Sequence, residues 1–222
     1  MKLIVACGGT GGHSFPGLAV ASELASRGND VTVWMSGRDV ETSVLKGWSG
    51  PVFATGARPL SLKNAVRNIR AFMRCLGEMK RARPDALLAM GSYSSLPPVI
   101  AAARRRVPVV LHEANTVPGR AIDFLSNFAR AVAISFENTA QYFPGKNTVL
   151  TGLPVRLDVA GQPPFENVPE GAFRVFVTGG SQGAHRVNEI ASKALVLLSR
   201  NLASRGRRLY VIHQTGANDE AE

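Results

Sequence analysis

Leu3-Ile4-Val5-Ala6-Cys7-Gly8-Gly9-Thr10-Gly11-Gly12-His13-Ser14-Phe15-Pro16-Gly17-Leu18-Ala19 runs from an apolar stretch through a glycine turn into a helical pattern. The same order returns late in the chain. Val175-Phe176-Val177-Thr178 leads into Gly179-Gly180-Ser181-Gln182-Gly183 and then an amphipathic segment. A strand, a glycine turn and a helix N-terminus make a site for phosphate. Glycine lets the backbone approach a ligand, while free N–H groups and about half an elementary charge of helix dipole face the anion. Two such turns, near the starts of two halves, predict a phosphorylated ligand held between two similar domains.

Working outward, apolar runs rich in β-branched residues fall at 2–7, 31–35, 51–55, 86–90, 107–111, 131–135 and 148–151. Helical patterns lie between them, near 15–27, 61–82, 94–104, 118–128 and 137–142. Near-continuous apolar strands alternating with helices predict an α/β fold with a parallel sheet covered on both faces. Ligands of such sheets bind at the carboxyl ends of the strands. Around 153–171 the texture changes: Pro154, Gly161, Pro163, Pro164, Pro169 and Gly171 break any regular element. The expected organisation is a first domain over 1–156, a linker over 157–171 and the start of a second domain over 172–222. There a strand (172–178), a helix (184–204) and a strand (208–213) make a single βαβ unit, too little for a covered sheet.

Composition narrows the class. The 222 residues are 45% hydrophobic, with 22 glycines and 13 prolines, as an ordinary α/β protein requires. Cys7 and Cys75 show no paired-ligand spacing and read as thiols of a reducing compartment. No apolar run approaches the roughly 18–20 residues that cross a bilayer. The opening run ends at the glycine turn, too early for a signal peptide, so a cytoplasmic location is expected. Residues 1–150 carry 18 Lys/Arg against 9 Asp/Glu, while 151–222 carry 8 against 7, so the basic excess belongs to the first half. A phosphorylated substrate or an anionic membrane surface fits that excess. Nucleic acid is not expected, because no helix-turn-helix or aromatic-plus-basic motif accompanies it.

Two common glycine motifs are excluded by their surroundings. A P-loop ends in Gly-Lys-Ser/Thr, whereas Gly12 is followed by His13-Ser14. A dinucleotide fingerprint needs an acid closing the second strand. After Val31-Thr32-Val33-Trp34-Met35 come Ser36-Gly37, with Asp39 too late and Asp30 too early.

The opening loop resembles that of the MurG family of bacterial glycosyltransferases. Matches continue in order through Met90-Gly91-Ser92-Tyr93, Leu111-His112-Glu113-Ala114-Asn115, Thr151-Gly152-Leu153-Pro154-Val155-Arg156 and Gly179-Gly180-Ser181-Gln182-Gly183-Ala184. The resemblance implies the GT-B architecture, two Rossmann-like domains with parallel sheets, here with the second incomplete. It implies an inverting transfer of N-acetylglucosamine from UDP-N-acetylglucosamine to the 4-hydroxyl of lipid I, forming lipid II for peptidoglycan, without a metal or other cofactor. On the same ground, Thr10, Gly11, Gly12, Asn115, Arg156 and Ser181 are expected to contact the sugar nucleotide. His13 is the candidate general base, with loop-holding or helix capping as its alternative role. His112 and Glu113 either orient a loop or react.

The family works at the cytoplasmic face of the inner membrane, and a basic segment offers a means of attachment. Lys63, Arg67, Arg70, Arg74, Lys80, Arg81 and Arg83 stand against a single acid, Glu78, with Ala65, Ile69, Phe72, Met73 and Leu76 at helical spacing. Either the cations rest on an anionic leaflet, or the apolar stripe packs on the sheet and the cations are a solvated face. Ser92 and Leu96 stand where the family is richer in glycine and are expected to narrow the acceptor's approach, and Ala114 stands where glutamine is common. Family members also continue beyond the position of Glu222. The expectation is therefore a fragment of a transferase, with a split enzyme or a non-catalytic lipid-docking module as alternatives.

Overall fold

The computed structural model describes residues 1–9, 11–38, 41, 44–155, 168–180, 183–216 and 219. The chain forms two compact units, Met1–Ala160 and Gly161–Glu222.

The first unit carries seven strands, β1 (Lys2–Ala6), β2 (Asp30–Met35), β3 (Val52–Ala54), β4 (Ala86–Ala89), β5 (Val109–Glu113), β6 (Ala131–Ile134) and β7 (Thr148–Leu150). They form one sheet in the order β3-β2-β1-β4-β5-β6-β7, every pair parallel. The register Leu3↔Val31 on one side of β1 and Leu3↔Ala86 on the other places β1 inside the sheet, between β2 and β4. Its helices are α1 (Gly11–Ser26), α2 (Ala65–Ala82), α3 (Leu96–Arg104) and α4 (Arg120–Leu125).

Alternation along β1 divides the core. Ile4 and Ala6 join Trp34, Cys75, Met79, Val99, Leu111, Ile122 and Leu125, the side covered by α2, α3 and α4. Val5 and Cys7 join Leu18, Ala21, Val33, Met35 and Met90, the side covered by α1. Burial on both faces is why the inner strands read as apolar throughout. Helices change face where the chain reverses its direction across the sheet, and that reversal lies between β1 and β4.

Three local outcomes differ from the sequence reading. Helix α1 begins at Gly11, four residues before the predicted start, with Pro16 inside it. Glycine's poor helix propensity hides that first turn, and Pro16, which removes the N–H that would bond Gly12 O, reads as a break rather than as the sixth residue of a helix. Residues 137–142 form a 3-10 helix. The apolar stripe of α2 is split between two faces. Ala71, Cys75 and Met79 are buried, and Phe72 and Leu76 pack against the core, but Ile69 and Met73 face outward. The 3.6-residue period places 69 and 73 on one line and 71, 75 and 79 on another.

In the second unit, β8 (Phe173–Thr178) and β9 (Leu209–Gln214) pair in parallel around helix α5 (His185–Ala203). Among its described residues, Phe176, Ile190, Val196 and Leu197 are exposed. Most of the expected linker lies outside the described residues.

Candidate functional site: the crevice between β1 and β4

Where a parallel sheet reverses direction, the loops leaving two adjacent strands part and open a crevice at their carboxyl ends. Here those loops are Cys7–Gly9 after β1 and Met90–Tyr93 after β4. The two strands hold them level, with the Met90 N–H donating to Ala6 O at 2.8 Å. Polar side chains then stitch the loops together. Ser94 Oγ donates to Gly8 O, Ser14 Oγ to Cys7 O at 2.7 Å, and Ser95 Oγ to Gly91 O at 2.5 Å.

His13 lies in the first turn of α1, half-buried, with Nδ1 2.8 Å from Met90 O. A carbonyl oxygen only accepts, so Nδ1 carries the proton and donates it. In the neutral ring Nε2 is then a bare lone pair, the form a general base requires. Gly91 makes room for this ring: a Cβ there would stand 3.3 Å from His13 Cε1 and Nδ1. The loop-holding role and the basic role assigned to His13 in the sequence are therefore compatible, one on each ring nitrogen.

At the end of β5, Glu113 is buried and holds the following loop. Its Oε1 accepts from the Asn115 N–H at 2.8 Å and from Asn115 Nδ2 at 2.9 Å, and its Oε2 accepts from the Gly119 N–H at 3.1 Å. Asn115 is exposed, with its amide NH2 fixed by Glu113. Of the two roles open to Glu113, the geometry serves orientation. His112 is buried beside it, and its Nε2 donates to Gly152 O at 3.1 Å. Its Nδ1 is buried with no hydrogen-bond partner among the described residues. Burial holds the imidazole below the usual histidine range. Gly152 O and Glu113 oppose that shift, and His13 adds to it. His112 and His13 thus lie within electrostatic reach of each other, and His112 stays neutral.

One buried side chain beside the glycine turn escaped the sequence reading. Glu41 is buried just past β2, and its Oε1 accepts from the Gly9 N–H at 2.7 Å, the Ser36 N–H at 3.3 Å and Ser36 Oγ at 2.5 Å. Its Oε2 accepts from the N–H groups of Gly37 at 2.7 Å and Arg38 at 3.2 Å. Burial alone would raise this carboxyl. The hydrogen bonds from Ser36, Gly9, Arg38 and Gly37 outweigh it and hold the group below the usual glutamate range. The only signal in the sequence is an acid six residues after a strand, beyond the position where a dinucleotide fold places its carboxylate.

Of the other predicted residues, Gly11 is half-buried and Gly12 exposed at the start of α1. Thr10, Arg156 and Ser181 lie outside the described residues. Leu96 packs against the core, so it does not line the crevice; Ser92 does, with its side chain against Gly9. In the second unit, Gly183 meets the end of β9. A Cβ on it would stand 1.7 Å from Thr215 O, so only glycine fits there.

The model of the glycosyltransferase family 28 N-terminal domain matches residues 3–134, and that of the family's C-terminal domain matches 174–222. The chain is 38% identical to the UDP-N-acetylglucosamine–N-acetylmuramyl-(pentapeptide) pyrophosphoryl-undecaprenol N-acetylglucosamine transferase of Pelobacter propionicus, covering 99% of this chain and 65% of that protein. It is 36% identical to the protein of the same name from Geobacter metallireducens, covering 99% and 62%. The chain thus spans somewhat less than two thirds of the length of these relatives. Among solved structures, Acinetobacter baumannii MurG superposes with a TM-score of 0.70 at 30% identity, over 97% of this chain and 58% of that one. The UDP-GlcNAc 2-epimerase of Neisseria meningitidis shares the fold, with a TM-score of 0.68 at 14% identity over 98% and 67%.

Proposed function

The chain belongs to glycosyltransferase family 28, and from that premise we propose that it is the larger part of an inverting transferase. The enzyme moves N-acetylglucosamine from UDP-N-acetylglucosamine to the 4-hydroxyl of the N-acetylmuramoyl sugar of lipid I, forming lipid II. The observation that supports this most directly is His13 at the crevice, its Nδ1 held on Met90 O at 2.8 Å, which leaves Nε2 as the ring nitrogen for the acceptor.

In this reading Nε2 takes the proton of the acceptor's 4-hydroxyl as that oxygen attacks the anomeric carbon. The bond from that carbon to the diphosphate oxygen breaks, its electron pair leaves with UDP, and the configuration inverts. The first turn of α1, Gly11-Gly12-His13-Ser14, contains no acidic residue, so its N–H groups and dipole are left for phosphate charge. Thr10, Gly11, Gly12, Asn115, Arg156 and Ser181 are the proposed contacts of the sugar nucleotide. The proposed domain limits are those expected from the sequence: 1–156 for the acceptor side and 172–222 for the start of the nucleotide side, joined by 157–171.

The same reading places the protein at the cytoplasmic face of the inner membrane as a peripheral protein. Among the described residues, no helix is long and apolar enough to cross a membrane. What supports surface attachment is the outward stripe Leu62, Val66, Ile69 and Met73, between 57 and 96% exposed. Exposed Lys63, Arg67, Arg70 and Arg74 flank it. Apolar side chains at this exposure, ringed by cations, fit an anionic lipid surface.

The test is transfer of labelled N-acetylglucosamine from its UDP donor to a lipid I analogue. It is run on the chain alone and on the chain joined to the C-terminal third of the Pelobacter relative. The joined protein is expected to form lipid II, the chain alone to transfer poorly, and His13→Ala to lower the joined protein's rate by about 10²–10⁴. No transfer by the joined protein overturns the assignment, and an unchanged rate in His13→Ala removes His13 as the base.

A further inference from the structure

Gly8 and Gly9 are the buried part of the opening turn, while Gly11 is half-buried and Gly12 exposed. The space against the first two glycines is already filled by the protein itself. A Cβ on Gly8 would stand 2.4 Å from Ser36 N and 2.9 Å from Glu41 Oε1. On the other side, a Cβ on Gly9 would stand within 2.4 Å of Ser92 Oγ. These two positions are glycine because the loops after β2 and β4 press on them, not because a ligand does.

The Gly9 N–H is spent as well, donated to Glu41 Oε1 at 2.7 Å. Glu41 brings a carboxylate charge directly under this half of the turn. The charge is felt at the neighbouring Cys7, whose thiol is pushed up to about 12, first by burial and then by Glu41. An anion above Gly9 would meet that carboxylate, and the Gly9 N–H is not available to offset the repulsion.

We infer that Glu41 is a positioning residue that divides the glycine turn in two. Acting through Gly9, it locks the Gly8–Gly9 half in place and confines a diphosphate to the N–H groups of Gly11, Gly12 and His13 at the start of α1. This deepens the sugar-nucleotide reading and rests on it. The carboxylate works by occupying the donors that would otherwise let the phosphates settle one turn too deep, away from His13 Nε2. Neutral glutamine cannot do the same, because its NH2 would meet N–H donors on one side of the group, where Glu41 offers an acceptor on both.

The test is an amide NMR titration of the 222-residue chain with inorganic pyrophosphate and, separately, with UDP. Addition of either is expected to shift the Gly11 and Gly12 amides and leave the Gly9 amide in place. Glu41→Gln and Glu41→Ala are expected to bring the Gly9 amide into the titration, shifting as much as those of Gly11 and Gly12, with no loss of pyrophosphate affinity. Glu41→Asp, which keeps the charge, is expected to hold the Gly9 shift below that of either variant. A Gly9 amide that shifts in the wild type as much as those of Gly11 and Gly12 overturns the inference, as does a Glu41→Gln protein whose Gly9 amide stays in place on titration. Should the variants fail to fold, the wild-type shifts decide alone. If the wild type binds neither pyrophosphate nor UDP, the phosphate reading of the turn falls. The clamp is then tested by Gly9 amide exchange, which the hydrogen bond to Glu41 must slow.

Discussion

Gly17 and Cys7 bring helix α1 onto strand β1 with no side chain between them. A Cβ on Gly17 would stand 2.2 Å from Cys7 Cβ, 2.8 Å from its sulfur and 3.0 Å from Met90 Cγ. The α1 N-terminus can sit over the end of β1 only because the helix approaches this closely. Alanine at 17 is expected to destabilise the first unit by about 1–3 kcal/mol, since overpacking outweighs the gain in helix propensity. Urea unfolding followed by tryptophan fluorescence checks this, because Trp34 is buried in the sheet. An unchanged midpoint would show that the helix lifts away at no cost.

The path from sequence to structure is clearest where one physical signal dominates. All seven strands of the first sheet fall on the apolar runs that predicted them, the inner strands because burial on both faces admits little else, while the edge strands β3 and β7 stay apolar though largely exposed. The glycine turns are located correctly, but their reasons are divided. Sequence alone credits Gly8 and Gly9 to a ligand, whereas the contacts of Ser36, Glu41 and Ser92 account for them. Glu41 itself was not legible, because its role arises from the fold of a loop that has no repeating pattern. The outward turn of Ile69 and Met73 was hidden for a related reason: a helix with two apolar lines gives one blurred stripe in sequence.

Ser92 adopts φ 70° and ψ 164°, a region that favours glycine. Holding a serine there costs about 1–3 kcal/mol. Ser92→Gly is expected to stabilise the first unit by about 1 kcal/mol, after allowing for glycine's greater freedom when unfolded. That corresponds to a rise of about 2–4 °C in Tm. Calorimetry reads it directly. A lower Tm would mean that the contact of Ser92 with Gly9 is worth more than the strain.

His112 gives the fold a pH dependence of definite sign. Its folded-state value is lowered, chiefly by burial. Between that value and the ordinary one of about 6.5, the unfolded chain binds a proton that the native state refuses. Stability therefore rises with pH across this window, falls as the pH drops through 6.5, and gains nothing from this group above it. Urea midpoints measured from pH 7.5 to 5.5 should fall more steeply for the wild type than for His112→Gln. Parallel curves would mean that His112 takes up its proton in the native state as readily as in the unfolded one.

The outward stripe of α2 separates attachment from folding. Ile69 and Met73 are exposed, so Ile69→Glu combined with Met73→Glu should change stability by less than about 0.5 kcal/mol per site. On a lipid surface the same changes remove two inserted side chains and add two charges that an anionic leaflet repels. The double variant is expected to lose at least tenfold in binding to phosphatidylglycerol-containing vesicles at low salt, with its thermal unfolding unchanged. Wild-type binding should weaken as salt rises, because the flanking Lys63, Arg67, Arg70 and Arg74 act through screened charge. Phosphatidylcholine vesicles, which lack that charge, should sediment little of either protein. Equal sedimentation of wild type and double variant with anionic vesicles would move the attachment site away from α2. No sedimentation of the wild type at low salt would remove the membrane from the proposal.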